Sequence, residues 1–260
     1  MRSDTEQLLN AALEMADVAG RMTLGYFRTG VRPDWKDDRT PVTVADREAE
    51  RYLRDEIHRR FPTHGIVGEE FGEEAGGDGT TWWIDPIDGT KAFLRGVPTY
   101  GVLLAVERDG EVCAGVASFP ALGETIGAGR GLGARLNGRL VNVSSVGEMQ
   151  HAAISTTDGG RFAELGADQA WADTMRRFHV RAGWGDAYGY MLVASGRVEA
   201  MVDPVVSPWD VAPFPVIIEE AGGQMTDWNG QRGFTGGHAV ASNGLFHEPL
   251  LASLRGDRIE

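Results

Sequence analysis

The stretch Trp82–Phe93 reads "WWIDPIDGTKAF". An apolar aromatic run meets two carboxylates three residues apart, Asp85 and Asp88, with Pro86 between them and Gly89-Thr90 after them. Proline lacks an N–H and biases the residue before it away from helix, so Asp85 is expected to be extended. Glycine permits a tight backbone. "WWI" (82–84) therefore reads as a strand ending in acids, followed by a turn that aims both carboxylates to one side. A surface turn accounts for these letters, and so does a metal and phosphate site. If Gly89 and Thr90 open a helix, their N–H groups point at an anion.

Acids recur at the ends of other elements: Asp46, Glu69, Glu70 and Asp210. "GIVGEE" (65–70) reads as a second short buried strand that ends in Glu69-Glu70. Adjacent strands lie about 4.8 Å apart, so the terminal acids of the two strands converge if the strands are neighbours. Strand ends of this kind are where α/β proteins gather chemistry. Each acid also has a structural alternative. Thr43 and Asp46 in "TVAD" fit a capping box. Glu69-Glu70 fits a solvated turn. Asp210 in "SPWDVAPF" fits a first helical turn, where an acid complements the macrodipole.

Several ionised carboxylates cannot share a pocket uncompensated; they raise one another's pKa, or a cation neutralises them. The chain has one cysteine, Cys113, and six histidines without HxH or HExxH spacing. Oxygen-only ligands select a hard ion, with Mg2+ ahead of zinc.

Composition narrows the partners. The 260 residues are 42% hydrophobic, enough for one large domain or two intimate halves. A net charge of −13 argues against a nucleic-acid partner, which needs a basic face, and against an anionic membrane surface. An acidic protein can still hold an acidic substrate if metals lie between them. One cysteine provides no disulfide framework. The start, "MRSDTEQLLN", has no apolar signal-peptide core, and no run reaches membrane-spanning length, so a soluble cytoplasmic protein is expected.

Along the chain, Leu8, Ala12, Met15, Ala19, Met22 and Tyr26 form a helical stripe over 4–28, with Ser3 and Glu6 in a capping-box pattern at its start. A polar connector over 30–41 precedes a helix over 44–60. Residues 73–80 read as a mobile loop. Strands over 101–106 and 111–119 flank the hairpin signal "RDG" (108–110), and 124–143 continues antiparallel through Asn137-Gly138. Beyond 144 the pattern alternates: helices at 160–177, 187–195 and 209–221, and strands at 179–181, 198–202 and within 220–230. A soft boundary separates a half at 1–143, with most of the acids, from a half at 144–260, with Asp210. The class expected is α/β, in stacked layers.

D-x-D-G-T, the motif of haloacid-dehalogenase phosphatases, resembles Asp85–Thr90. Here the spacing is one residue longer and lies far from the first strand, which disfavours a phosphorylated aspartate.

Together, "WKDDRTPVTVAD", "GIVGEE", "WWIDPIDGTKAF" and "PWDVAPFPVIIEEAGG" resemble the inositol monophosphatase family, in its order and over most of the chain. The resemblance implies a five-layered αβαβα fold, Mg2+-dependent hydrolysis of phosphate monoesters with two or three ions, lithium sensitivity and a homodimer. By that similarity Glu69, Asp85, the Ile87 carbonyl, Asp88 and Asp210 would be metal ligands. Glu70 and Thr90 would hold the attacking water, Asp46 would lie beside that water or a third metal, and Lys36 would face the site from the connector. Gly89 and Thr90 would bind phosphate through their backbone.

Where inositol-specific members carry Gly-Ser-Ala, "GWGDAYGY" has Gly185-Asp186-Ala187. Asp203 stands seven residues before Asp210, where the family often has a substrate-contacting acid. Two acids facing a leaving group suit a cation. This segment also resembles the histidinol-phosphatase branch, whose substrate carries an amine and an imidazole on which Trp184 and Tyr188 could stack. Asp186 could instead cap the following helix. Inositol phosphates, fructose 1,6-bisphosphate, 3′-phosphoadenosine phosphates and other sugar phosphates remain alternative substrates. A non-enzymatic metal-binding module is the alternative to an enzyme.

Overall fold

The structure, a computed structural model, describes residues 2–35 and 41–257. Helix α1 (Arg2–Tyr26) buries Leu8, Ala12, Met15 and Ala19 along the expected stripe. Ser3 lies inside this helix, so the box expected at Ser3 and Glu6 is not its cap. In the connector, β1 (Asp34–Trp35) and β2 (Pro41–Val42) make a small antiparallel ribbon. Helix α2 (Val44–Arg60) opens on the Thr43/Asp46 capping box.

An eight-stranded sheet follows: β3 (Gly65–Gly68), β4 (Gly72–Glu74), β5 (Thr80–Asp88), and, after the short helix α3 (Thr90–Leu94), β6 (Gly101–Arg108), β7 (Glu111–Phe119), β8 (Glu124–Gly129), β9 (Gly133–Leu136) and β10 (Arg139–Leu140). Its order is β10-β9-β8-β7-β6-β5-β3-β4, antiparallel except where β3 runs parallel to β5. The loop expected from residue 73 is partly strand: Gly72–Glu74 pairs back onto β3. The turns at Asp109-Gly110 and Asn137-Gly138 both use two consecutive positive φ values, as tight hairpins demand.

The second sheet is built from β11 (Ala153–Ser155), then α4 (Asp168–Arg176), β12 (Val180–Ala182), α5 (Asp186–Ala194), β13 (Ala200–Asp203), α6 (Pro208–Val211), α7 (Phe214–Glu220), β14 (Gln224–Thr226), β15 (Ala239–Ser242) and α8 (His247–Leu254). Its order is β12-β11-β13-β15-β14. Two expected helices are divided. The one over 160–177 splits at Gly166, whose φ of 64° ends a 3-10 segment (Gly159–Leu165) before α4. The one over 209–221 breaks at Ala212-Pro213, because proline cannot donate the N–H that would continue α6 into α7.

Strand alternation sorts the core into layers. Val102, Leu104 and Val106 of β6 face α1 and α2, packing with Leu8, Met15 and Leu53. Leu103 and Ala105 face the other way, onto α5 and α7 through Met191 and Ile217. Met201 and Ala241 of the second sheet close that middle layer, while Ala200, Val202 and Val240 turn outward to Trp171 of α4 and Leu250 of α8. Helices, sheet, helices, sheet, helices make the five-layered α/β architecture. Among the described residues no helix is long and apolar enough to cross a membrane.

Candidate active site

The parallel pairing of β3 with β5 sets Gly68 beside Ile84, so the chain leaves both strands at the same edge with Glu69 next to Asp85. Strand β5 does not stop at Ile84, as its acids would suggest; Asp85, Pro86, Ile87 and Asp88 are its last four residues. Asp85 pairs with Leu103 and Asp88 with Gly101, three steps on one strand against two on the other. This is a β-bulge, and Pro86, lacking an N–H, suits it. In a regular strand residues three apart point to opposite faces; the extra residue brings both carboxylates to one side. The turn comes afterwards, at Gly89, with φ 77°.

One carboxylate oxygen from each of Asp85, Asp88 and Asp210 lies within 4.8 Å of the others. Asp210 arrives from α6, where its Oδ2 accepts the Ser207 N–H at 2.8 Å. Asp85 Oδ1 accepts the Ile87 N–H at 3.0 Å, and Asp88 Oδ2 accepts the Ala187 N–H at 2.7 Å. These donors orient the acids without neutralising them. Burial, then Glu69, Asp88 and Asp210, pushes Asp85 well above the ordinary carboxylate range. Burial, then Asp186 and Asp210, does the same to Asp88. Burial and the neighbouring acids raise Asp210 to about 7.

Asp46 sits fully buried behind this group. Its Oδ2 accepts the Thr43 N–H at 2.8 Å and the Thr43 hydroxyl at 2.5 Å, while its Oδ1 has no hydrogen-bond partner. Burial raises it to about 6, against the pull of Thr43. A buried, unpartnered carboxylate oxygen among mutually repelling acids is what a bound cation resolves. The donor set, all oxygen, fits a hard divalent ion.

Beside the acids lies a cleft of about 180 Å3, lined by Glu69, Asp85, Asp88 and Asp210 together with Gly89, Thr90, Asp186, Ala187 and Asp203. The Ile87 carbonyl accepts the Thr90 hydroxyl at 3.2 Å. Asp186 is raised to about 6 by burial and by Asp203, with Lys91 opposing. Gly89 is required twice over: its φ is left-handed, and a Cβ there would meet Asp186 Oδ2 at 3.1 Å. Asp186 is the first residue of α5 and makes no side-chain cap.

Some expected residues do not line the cleft itself. Glu70 sits in the β3–β4 turn, its N–H on Glu50 Oε2 at 2.8 Å, and is not among the described residues that line the cleft. Neither is Asp46. Trp184 and Tyr188 do not line it either: the Tyr188 hydroxyl donates to Glu124 at 2.9 Å and its ring packs edge-on against Phe119. Lys36 lies outside the described residues.

The cleft also contains residues that the motifs left unassigned: Lys91, Thr157, Asp158 and Arg161. Lys91 stands inside the opening motif and could have been read as part of it. The other three follow β11, a strand too short and too weakly patterned to mark its own end.

A family model described as the inositol monophosphatase family matches residues 4–258. A histidinol-phosphatase of Chlorobaculum parvum is 43% identical over 248 residues, covering 95% of this chain and 96% of that protein. A histidinol-phosphatase of Mycobacterium tuberculosis is 42% identical over 255 residues, covering 95% and 97%. Among solved structures, an IMPase of Thermotoga maritima superposes with a TM-score of 0.89 at 31% identity, covering 96% of this chain and 97% of that one.

Proposed function

Because the chain belongs to the inositol monophosphatase family, and is therefore a phosphoric monoester hydrolase, we propose that its substrate is histidinol phosphate, cleaved to histidinol and phosphate in histidine biosynthesis with Mg2+. The observation that carries this reading is Asp186. It replaces a small hydroxyl residue at the cleft wall and lies against Gly89, at the turn that would receive the phosphate. A primary amine on the leaving group would gain a charge-assisted hydrogen bond there, about 1.5–3 kcal/mol, which a neutral polyol would not. The names of the two relatives point the same way.

In this proposal Glu69, Asp85, the Ile87 carbonyl, Asp88 and Asp210 would hold two Mg2+ ions, and Asp46 would lie beside the attacking water or a third. The bound ions supply charge for the phosphoryl and leaving oxygens and lower the pKa of a water. The residues do the rest. Thr90 directs its hydroxyl hydrogen to Ile87, leaving its oxygen lone pairs to accept from the attacking water. Glu70 takes the proton that the water loses. Backbone N–H groups of Gly89 and Thr90 orient the phosphate. The water oxygen bonds to phosphorus as the ester P–O bond breaks in line, and the leaving oxygen takes a proton from solvent to give the alcohol, while Glu70 returns its own to solvent. No phosphorylated residue forms. Homodimeric assembly and lithium inhibition belong to the same proposal.

The test is a substrate panel at fixed Mg2+. Phosphate release from histidinol phosphate should exceed that from inositol 1-phosphate by at least about tenfold in kcat/KM. Comparable rates would assign the chain to inositol or broad sugar-phosphate hydrolysis instead.

A further inference from the structure

Thr157 joins two of the cleft's acids. Its N–H donates to Asp203 Oδ1 at 2.8 Å and its hydroxyl donates to Asp203 Oδ2 at 3.1 Å. The same hydroxyl oxygen accepts the N–H of Asp186 at 2.8 Å. Tyr190, buried beneath the cleft, adds its own hydroxyl to Asp203 Oδ2 at 3.1 Å. Asp203 is thus 3% exposed and held by three protein donors.

Asp186 is held differently. Its φ is 40°, an uncommon region for a residue with a side chain, though one that aspartate tolerates better than most, and its surroundings must hold it there. Three consecutive N–H groups supply that constraint: Gly185 N–H on the Thr156 carbonyl at 3.2 Å, Asp186 N–H on Thr157, and Ala187 N–H on Asp88 Oδ2 at 2.7 Å. The backbone is pinned between the β11 loop and the acid cluster. With the backbone held there, the carboxylate lies against Gly89.

We infer that Thr157 is a positioning residue for substrate selection: it couples Asp203, a buried anchor, to Asp186, the acid that meets the substrate. This rests on the reading of Asp186 as the acid facing a cationic leaving group. The family pattern would have Asp203 itself touch the substrate. Here protein donors hold both of its oxygens, and the contact passes to Asp186. Valine at position 157 keeps the shape and the backbone bond to Asp203, but removes the acceptor for the Asp186 N–H. The left-handed turn then loses the one restraint made at Asp186 itself, of the three that hold it, and the carboxylate leaves its place by Gly89.

The experiment measures kcat and KM at saturating Mg2+ for histidinol phosphate and for glycerol 2-phosphate, whose leaving group is uncharged. The proteins are wild type, Thr157→Val, Thr157→Ser, Asp186→Ser and the Thr157→Val/Asp186→Ser double variant, each checked by thermal melting. Thr157→Ala replaces Thr157→Val if the latter does not fold. Thr157→Val should lower the preference for the cationic substrate by about tenfold, chiefly through KM, as losing one charged contact would. Thr157→Ser should keep the preference. The double variant should be no worse than Asp186→Ser alone, because both act through one contact. A Thr157→Val protein that keeps its preference while Asp186→Ser loses it overturns the inference and leaves the substrate reading intact. Full additivity does the same. An Asp186→Ser protein with wild-type preference overturns the substrate reading, and the inference with it.

Discussion

Asp85 and Asp88 form one site because of a single inserted residue. Three positions along a regular strand would place one of them against the helices and the other toward the cleft; the bulge at Pro86-Ile87 puts them together. In the metal-free protein their proximity has a cost. Burial and the surrounding acids raise Asp85 far above its ordinary range, which means that its ionised form opposes folding. Asp85→Asn keeps the oxygen that accepts the Ile87 N–H and removes the charge. It should abolish phosphate release and raise the melting temperature in EDTA by a few degrees, on the order of 1–2 kcal/mol. A fall in melting temperature would mean that Asp85 is structural. The residue types of this motif were legible in the sequence, as was their oxygen-only chemistry. The bulge was not, since it depends on how β5 is paired with β6.

Helix α2 shows how one element aligns several. Asp46, in its first turn, is both the capping-box partner of Thr43 that the sequence suggested and a member of the acid group. One turn later Glu50, fully buried, accepts the N–H of Glu70 at 2.8 Å and of Phe71 at 3.1 Å, and pairs with Arg54 Nε at 2.9 Å. Arg54 reaches on to the Gly72 carbonyl and to Glu74. The helix therefore holds the β3–β4 turn that presents Glu69. A Cβ on Gly68 would lie 2.2 Å from Glu50 Oε1, so only glycine fits beneath the clamp. Glu50→Gln breaks a buried ion pair, a loss of about 3 kcal/mol. It should lower the melting temperature by on the order of 10 °C and weaken Mg2+ binding, read by titration calorimetry on the folded variant. Unchanged Mg2+ affinity would limit Glu50 to stability. Among elements, the long amphipathic α1 and α2 and the hairpins with Asp-Gly and Asn-Gly turns were readable. β4, β11, β15 and α8 were not. β4 is fully exposed, with no apolar face to read; β15 is buried throughout, so neither shows alternation. α8 was hidden because no cap precedes it.

At the scale of the molecule, acids gathered from both sheets make stability depend on pH and on metal. Asp46, Asp186 and Asp203 are raised to about 6 and Asp210 to about 7, and burial with the neighbouring acids also raises Asp85 and Asp88 well above the ordinary carboxylate range. The metal-free folded chain therefore binds more protons than the unfolded one, and its stability falls as pH rises through these values. His247 opposes this. Buried between Thr226 and Ser242, it is pushed down to about 4, so its contribution grows as pH rises from 4 toward 6.5 and then stops. Above pH 6.5 only the acids act. In EDTA the melting temperature should drop by on the order of 5 °C between pH 6.5 and pH 8. Mg2+, which needs the ionised forms, should restore it, with an increment that grows with pH. Calorimetric scans in EDTA and in Mg2+ check both; a flat or rising profile in EDTA would show that the acids do not repel.

The family and the reaction class lay in the chain itself, because they rest on residue types and short spacings that survive without three-dimensional context. An α/β class in stacked layers followed from patterning almost as directly, while the five-layered order came with the family resemblance. What needed the tertiary structure was everything that depends on long-range pairing. Parallel β3 and β5 place Glu69 beside Asp85. The bulge turns Asp88 to the same side. α6 brings Asp210 from over a hundred residues away. Thr157, ordinary in sequence, becomes the link between Asp203 and Asp186 only when β11, β13 and α5 meet at one edge. Local letters specify which groups can do the chemistry; strand register and layer packing specify which of them can reach one another.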